Sequence, residues 1–402
     1  MLFFAIVYVA EGLGQARVGV IWQPLNYYLK QVAGWSPVQI SASLALVDLP
    51  WIIKPAWGLV SDFVPLFGYR RRAYLLLAGL LAIFAYACVG LIDDPAHLVA
   101  ALLVTSFAMA AASTICGALL VENGQRYGAS GAFVNQQWLW FNVATMAAAV
   151  GGGQLLAHLA PLPALHTAAW IAALAPVPVL LAVLRLVHEE RSELAWPELR
   201  RTLGGLLAAL RSRRLYLIGG FLFLYSFSPG FGTPLYFHLT DELHFPQFYI
   251  GTLNAIGAAG WIAGALLYRW LLSRLSLLVL LNVSILGGTV ATLAYLLLRG
   301  EASAAAIYFG NGVAAMIANV ATLTLAAETC PPRAEGFVFA ALLSLVNLTT
   351  PVADTIGSFL YQRVFGHSLP PLVIVSACAT ALVFLLVPLL GLRGAAAARR
   401  SP

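Results

Sequence analysis

Apolar residues run in stretches of about 20 positions, separated by short polar turns, along the whole chain. Twelve such stretches are predicted as helices, near 2–30, 38–61, 73–92, 97–121, 131–160, 166–187, 215–240, 246–272, 276–298, 303–327, 337–362 and 370–392. At about 1.5 Å per residue, each matches a hydrocarbon core of about 30 Å. Only one interruption is long and polar, HEERSELAWPELRRTLGGLLAALRSRR at 188–214. It divides the chain into a six-helix bundle over 1–187, a linker over 188–214, a second six-helix bundle over 215–392 and a tail over 393–402. Inside the linker, Leu203–Leu210 is amphipathic and is expected along a membrane surface. The pattern predicts an all-α polytopic membrane protein.

Composition narrows the solvent. Of 402 residues, 61% are hydrophobic and 9% charged, against roughly 25% charged in a soluble domain. A chain this apolar needs lipid around it. The net charge of +6 raises nucleic acid as a partner, but the cations form short clusters between apolar runs and no stripe with interleaved aromatics. They read as topology signals. Seventeen Lys and Arg residues fall on one side, Arg70–Arg72, Arg126, Arg185 and Arg333 among them. The other side receives three, Lys30, Arg299 and Arg363. The positive-inside rule then places both termini and the linker in the cytoplasm of a cell (inner) membrane protein. Met1-Leu2-Phe3-Phe4 lacks a basic n-region and its segment outruns h-region length, so no cleavable signal peptide is expected, and a tail ahead of it is left open. The four cysteines are scattered without a C-x-x-C pair, so neither a disulfide framework nor a metal site follows.

The halves are related. At an offset of 210, Pro24 meets Pro234, Leu25 meets Leu235, Ile40 meets Ile250 and Trp51 meets Trp261. After a slip of four, Gly58 pairs with Gly264 and Glu122 with Glu328. Two six-helix repeats in one orientation make the major facilitator framework, whose site lies near the midplane between halves.

Leu49–Leu77 reads LPWIIKPAWGLVSDFVPLFGYRRRAYLLL. Gly58-x-x-x-Asp62 followed by Gly68-Tyr69-Arg70-Arg71-Arg72 resembles the cytoplasmic loop between helices two and three of major facilitators. Glycine allows a tight turn and close helix approach. An acid at a helix end can meet an Arg and latch one conformation. The bland alternative is that the arginines only fix topology. The P-L-F-G-Y-R-R-R run and its L-P-W-x-x-K-P lead-in resemble the folate–biopterin transporter family. Ala118–Glu122, Phe248–Gly251, Cys330–Gly336 and Phe339–Leu348 carry the same likeness. The resemblance implies a latch of Gly58, Asp62, Gly68, Arg70, Arg71, Arg72, Glu122, Arg126, Glu328 and Arg333. One position departs: where that family commonly has an acid before the A-L-V-V-E-like run, this chain has Gly117.

Charges inside spans cost roughly 2.5–3.5 kcal/mol each, so they mark function or pairing. Glu11, Arg17, Asp48, Lys54 and Asp354 are such cases. Counting about 1.5 Å per residue, Glu11 and Lys54 lie at matching depths on adjacent antiparallel helices, as do Arg17 and Asp48. Both are expected as pairs. Asp354 is either an acceptor for a coupling proton or a hydrated carboxylate near the outer end. The stretch Ser226-Phe227-Ser228-Pro229-Gly230-Phe231-Gly232-Thr233-Pro234 interrupts the seventh span, as Gly12, Gly14, Gly19 and Pro24 interrupt the first. Paired interruptions point to a transport site, or else to a packing kink. Asn135, Gln136, Trp138 and Asn142 offer amides and an indole to a flat heteroaromatic ligand, although Asn135 lies near one end.

No Walker A, H-E-x-x-H or nucleophile elbow occurs. The expectation is a secondary transporter working by alternating access on an ion gradient, with no cofactor and no catalytic residue. The resemblance implies proton-coupled uptake of a folate- or pterin-like solute. A facilitator for an unrelated solute is the alternative, with an intramembrane enzyme or receptor a distant third.

Overall fold

The computed structural model describes residues 1–128, 130–194, 196, 200, 204, 213–329 and 335–391. Among the described residues no β-strand forms. Eight helical stretches among the described residues are long and apolar enough to cross a membrane. The first, seventh and twelfth expected spans are helical in shorter or segmented form, and the eleventh is the α-helix Glu335–Phe359 passing into a π turn. The Leu203–Leu210 stretch apart from Gly204, most of the linker and the tail from 393 lie outside the described residues.

Two compact units divide the chain. One comprises Met1–Arg201 with Phe245–Ala255, the other Thr202–His244 with Ile256–Pro402. In the first unit the helices are α1 (Leu2–Gly14), α2 (Trp22–Gln31), α3 (Pro37–Ile52), α4 (Lys54–Phe63), α5 (Arg72–Val89), α6 (Pro95–Arg126), α7 (Ser130–His158), α8 (Pro161–Leu174) and α9 (Pro176–Leu186). The second carries α10 (Arg213–Ser226), α11 (Gly232–Asp241), most of α12 (Gln247–Trp270), α13 (Leu277–Leu293), α14 (Glu301–Thr329), α15 (Glu335–Phe359) and α16 (Leu369–Leu382).

Local chemistry explains where helices start. Ser36 and Gln39 form a reciprocal capping box ahead of Pro37, which satisfies two of the backbone donors left open at a helix start. Asp94 and Ser276 cap α6 and α13 more simply, each with a side-chain oxygen that accepts a backbone N–H three residues on. Each unit has its own apolar centre. Phe4, Tyr8, Leu75, Ile115, Leu120 and Val183 join α1, α5, α6 and α9. Phe221, Leu222, Leu281, Ile317, Leu325 and Leu342 join α10, α13, α14 and α15.

Two expected spans leave helical geometry for several residues in mid-course. The first leaves helical geometry over residues 15–21, the seventh over 227–231. The short helices beyond the breaks, Trp22–Gln31 and Gly232–Asp241, are both ten residues long and sit 210 apart, the offset of the sequence repeat. The second span also divides, at Ile53. Pro50 itself stays inside α3, and the chain breaks just beyond it, so the kink falls nearer Lys54 than the proline suggests.

Candidate functional site

The break in the first span begins where Gln15 turns to an extended conformation. Gly19 doubles back so tightly that a Cβ would stand 2.3 Å from the Leu13 carbonyl, a place only glycine can occupy. Arg17, carried on this loop, forms a salt bridge with Asp48 of α3. The expected Arg17–Asp48 pair is therefore present as direct contact. Glu11 and Lys54 meet through a third group. Lys54 Nζ donates to Ser113 Oγ at 3.2 Å, and Ser113 Oγ donates to Glu11 Oε1 at 3.0 Å. Those two bonds keep the charges inside the roughly 8 Å of a single bridging group. Ser113 lies on α6, and sequence reading did not find it, because a serine in a long apolar helix carries no pairing signal.

In the second unit the break spans Phe227 to Phe231. Pro229 has no N–H to offer, and Gly230 donates instead to the Ala353 carbonyl at 2.8 Å. Gly230 and Gly357 touch backbone to backbone: a Cβ on Gly357 would fall 1.6 Å from the Gly230 carbonyl oxygen. Ser228 Oγ donates to the Ser376 carbonyl at 3.1 Å, while Ser376 donates back to the Pro229 carbonyl. Asp354 closes the arrangement. Its carboxylate accepts from Thr233 N at 3.2 Å and Thr233 Oγ1 at 2.9 Å. It thereby caps α11, whose own N-cap residue, Phe231, has no side-chain oxygen. At 5% exposure Asp354 is no hydrated outer-end carboxylate. Ser226 ends α10, half-buried.

The third cluster gathers at one end of the first unit. Gly68 adopts φ +83°, so the turn between α4 and α5 needs glycine there. The Arg71 guanidinium reaches Asp62 at 2.6 Å, Glu122 at 2.7 Å and Ser61 at 2.8 Å. Burial alone would lower its pKa, but the carboxylates of Asp62 and Glu122 outweigh that and raise it. Arg70 and Arg72 turn to other partners. Their backbone N–H groups, with that of Arg71, donate to Glu189 at 2.6 to 3.0 Å. Glu189 thus caps α5 from a distant segment, and backbone donors leave no signature by which a sequence could show it. Gly58 does not serve close helix approach: a Cβ there would meet only the Thr114 methyl at 3.8 Å, ordinary contact. Arg126 lies 5.9 Å from the Tyr127 ring centre. The Glu328 side chain and Arg333 lie outside the described residues. A cavity of about 510 Å³ opens beside this cluster, lined in part by Phe63, Leu119 and His188.

Similarity to known proteins follows the same frame. Residues 14–395 match the BT1 family. The chain belongs to the BT1 family. It is 29% identical over 384 residues to the folate-biopterin transporter of Synechocystis sp., covering 90% of this chain and 74% of that one. Folate transporter 2 of Plasmodium falciparum is 25% identical over 375 residues, with 89% and 80% covered. Among solved structures, the nucleoside transporter NupG superposes with a TM-score of 0.71 at 14% identity, covering 97% and 98%. A D-xylose-proton symporter gives 0.72 at 13%, covering 96% of both. These likenesses show the major facilitator fold, and with the family they make this BT1 chain a multi-pass membrane transporter.

In this BT1 chain the amides of the fifth span do not converge. Gln136 Nε2 donates to the Met1 carbonyl at 3.1 Å, and Asn142 Nδ2 to its own helix at Trp138 O, 2.7 Å. Trp138 packs edge-on to Phe141, and the Asn135 side chain lies outside the described residues. At Gly117 an added Cβ would meet nothing within 4 Å, so no packing demand accounts for the glycine.

Proposed function

We propose that this chain is a secondary active transporter that imports a folate- or pterin-like organic anion by proton symport. The observation that carries the reading is the pair of broken spans, offset by 210 residues, each with a charged side chain held at its break, Arg17 on Asp48 and the buried Asp354 on Thr233. In transporters, unwound helices expose backbone groups and dipole ends to solute and ion at mid-membrane. The names of the relatives, folate-biopterin transporter and folate transporter 2, support the substrate class. Arg17 and Lys54 supply cations for an anionic solute, and Glu11, Asp48 and Asp354 supply acceptors for a proton. The excess of arginine on one side supports a cell membrane location with both termini in the cytoplasm. Arg71, held between Asp62 and Glu122, supports a conformational latch at that end.

The test is uptake of labelled folic acid and biopterin in a host lacking its own uptake, with and without a proton uncoupler. Uncoupler-sensitive accumulation is expected. Accumulation that ignores the uncoupler removes proton coupling, and absent uptake of either compound removes the substrate. The open space at Gly117 favours a second reading, transport of a related but different organic anion, which competition among unlabelled anions would reveal.

A further inference from the structure

Glu11 is nine-tenths buried, and only one of its oxygens has a partner. Oε1 accepts from Ser113, whereas Oε2 meets no donor among the described residues. Beside it lies a cavity of about 30 Å³, walled by Leu75, Ala78, Met109, Cys116 and Val179, large enough for one water. Lys54 stands on the other side of Ser113. Its ammonium also lies 4.3 Å from the centre of the Trp51 ring, so an aromatic face adjoins the cation. One turn along α6 from Ser113, Gly117 leaves open space.

We infer that Lys54 docks a carboxylate of the solute, and that Glu11 is its reserve counter-ion, taking up one proton when that carboxylate displaces it. The inference rests on the proton-coupled reading above and names the groups that would perform it. At rest the Lys54 ammonium is balanced by the Glu11 carboxylate through Ser113. An arriving carboxylate leaves two negative charges against one positive in a place largely closed to water, which low dielectric disfavours. A proton on Oε2 restores the balance. The only bond formed is that O–H, and release of the solute returns the proton and the bridge. Other titratable groups near Glu11 are the Tyr8 hydroxyl on α1 and the Cys116 thiol on α6. Facing it, α5 and α9 present apolar residues, and α7 packs through Ala144 and Thr145 on the adjacent Gly12. His166 of α8 is bonded away to the Ile92 carbonyl, and Arg17 is held by Asp48.

The test measures proton uptake by the purified full-length chain in weakly buffered solution. The probes are pteroic acid, 6-methylpterin (the same bicycle without a carboxylate) and benzoate. About one proton per bound pteroate and none per 6-methylpterin is expected. In Glu11→Gln that uptake disappears, and pteroate affinity no longer falls as pH rises. Lys54→Ala is expected to weaken pteroate by at least roughly tenfold, the loss of a charged hydrogen bond, with Lys54→Arg recovering most of it. Undiminished proton uptake in Glu11→Gln, or equal uptake with 6-methylpterin, overturns the inference and leaves folate import standing. Benzoate binding with Glu11-dependent uptake but no pteroate binding removes the folate reading and keeps the inference. Folded protein that binds none of the carboxylates overturns both. Should Glu11→Gln fail to fold, Ser113→Ala keeps both charges. It is expected to shift the pH range of proton uptake, and an unshifted range counts against the inference.

Discussion

The two broken spans solve one backbone problem with opposite charges. Each leaves helix ends in the middle of a membrane segment, where no water reaches the open N–H and C=O groups. In the first span the answer comes from within the loop: Gly19 and Val20 donate back to the Gln15 and Leu13 carbonyls, and Arg17, which follows the carbonyl end of α1, is neutralised by Asp48 on α3. In the seventh the answer comes from outside: Asp354, on α15, accepts from Thr233 in the first turn of α11. Both choices agree with the helix dipole, a cation after a C-terminus and an anion before an N-terminus. The difference lies in what each break leaves behind when disturbed. One is an ion pair, the other a carboxylate held by neutral donors.

That difference has measurable weight. Arg17→Ala removes the salt-bridge partner of Asp48, whose side chain is 14% exposed, and breaking a buried pair typically costs about 3–5 kcal/mol. A large drop in thermal midpoint is expected in detergent, with part of it recovered by adding Asp48→Asn. If the double variant is no better than the single one, the pair is not what holds the first break. Asp354→Ala removes a charge and strands neutral donors, for which about 1–3 kcal/mol is the usual cost. Asp354→Asn, which keeps an acceptor, should lose less. Equal losses for Arg17→Ala and Asp354→Ala would show the two breaks to be energetically alike and the contrast to be one of appearance only.

Much of this frame was legible in the sequence. The glycines and prolines of both spans and the 210-residue offset announced the breaks, because a helix that lacks donors or side chains at one place yields there. Arg17 and Asp48 were legible as a pair because intramembrane charges must be matched at equal depth. Asp354 on Thr233 was not, since a carboxylate capping backbone N–H groups needs no complementary charge to betray it. Glu189 on the N–H groups of residues 70–72 escaped for the same reason. Gln136 was read as cavity-facing; its Nε2 donates to the Met1 carbonyl, a contact no local pattern encodes.

The cluster around Arg71 separates burial from charge as the cause of the contrast. Asp62 is also an acid paired with an arginine, but its side chain is 45% exposed, and exposed pairs contribute about 1 kcal/mol or less. Asp62→Asn is therefore expected to leave stability nearly unchanged. If the pair is the proposed latch, its effect should appear in kinetics: a lower transport rate, with equilibrium solute binding held within a few-fold, since a latch biases conformations without touching solute. A large loss of affinity at normal turnover would sink that assignment. A loss of stability as large as for Arg17→Ala would mean that pairing alone, and not burial, sets the cost.

The smallest expected effect comes from a cap with the same chemistry as Asp354 but in water. Asp94 precedes α6 and accepts from the His97 backbone N–H at 3.0 Å and from its ring Nδ1 at 2.7 Å. Those two bonds, the backbone one first, hold its carboxyl below the ordinary value of 3.8. A depressed pKa means the folded chain favours the ionised form. The stabilisation is fully present above that ordinary value and is lost as pH falls through the lower, folded one. Asp94→Ala should thus lower the thermal midpoint slightly at neutral pH, and the gap to the unaltered chain should close on acidification. Water can replace the lost acceptor at this helix start and cannot do so at α11. The drop must therefore be smaller than for Asp354→Ala. A gap that widens in acid, or that equals the Asp354 loss, would mean that the seventh-span cap gains nothing from lying away from water.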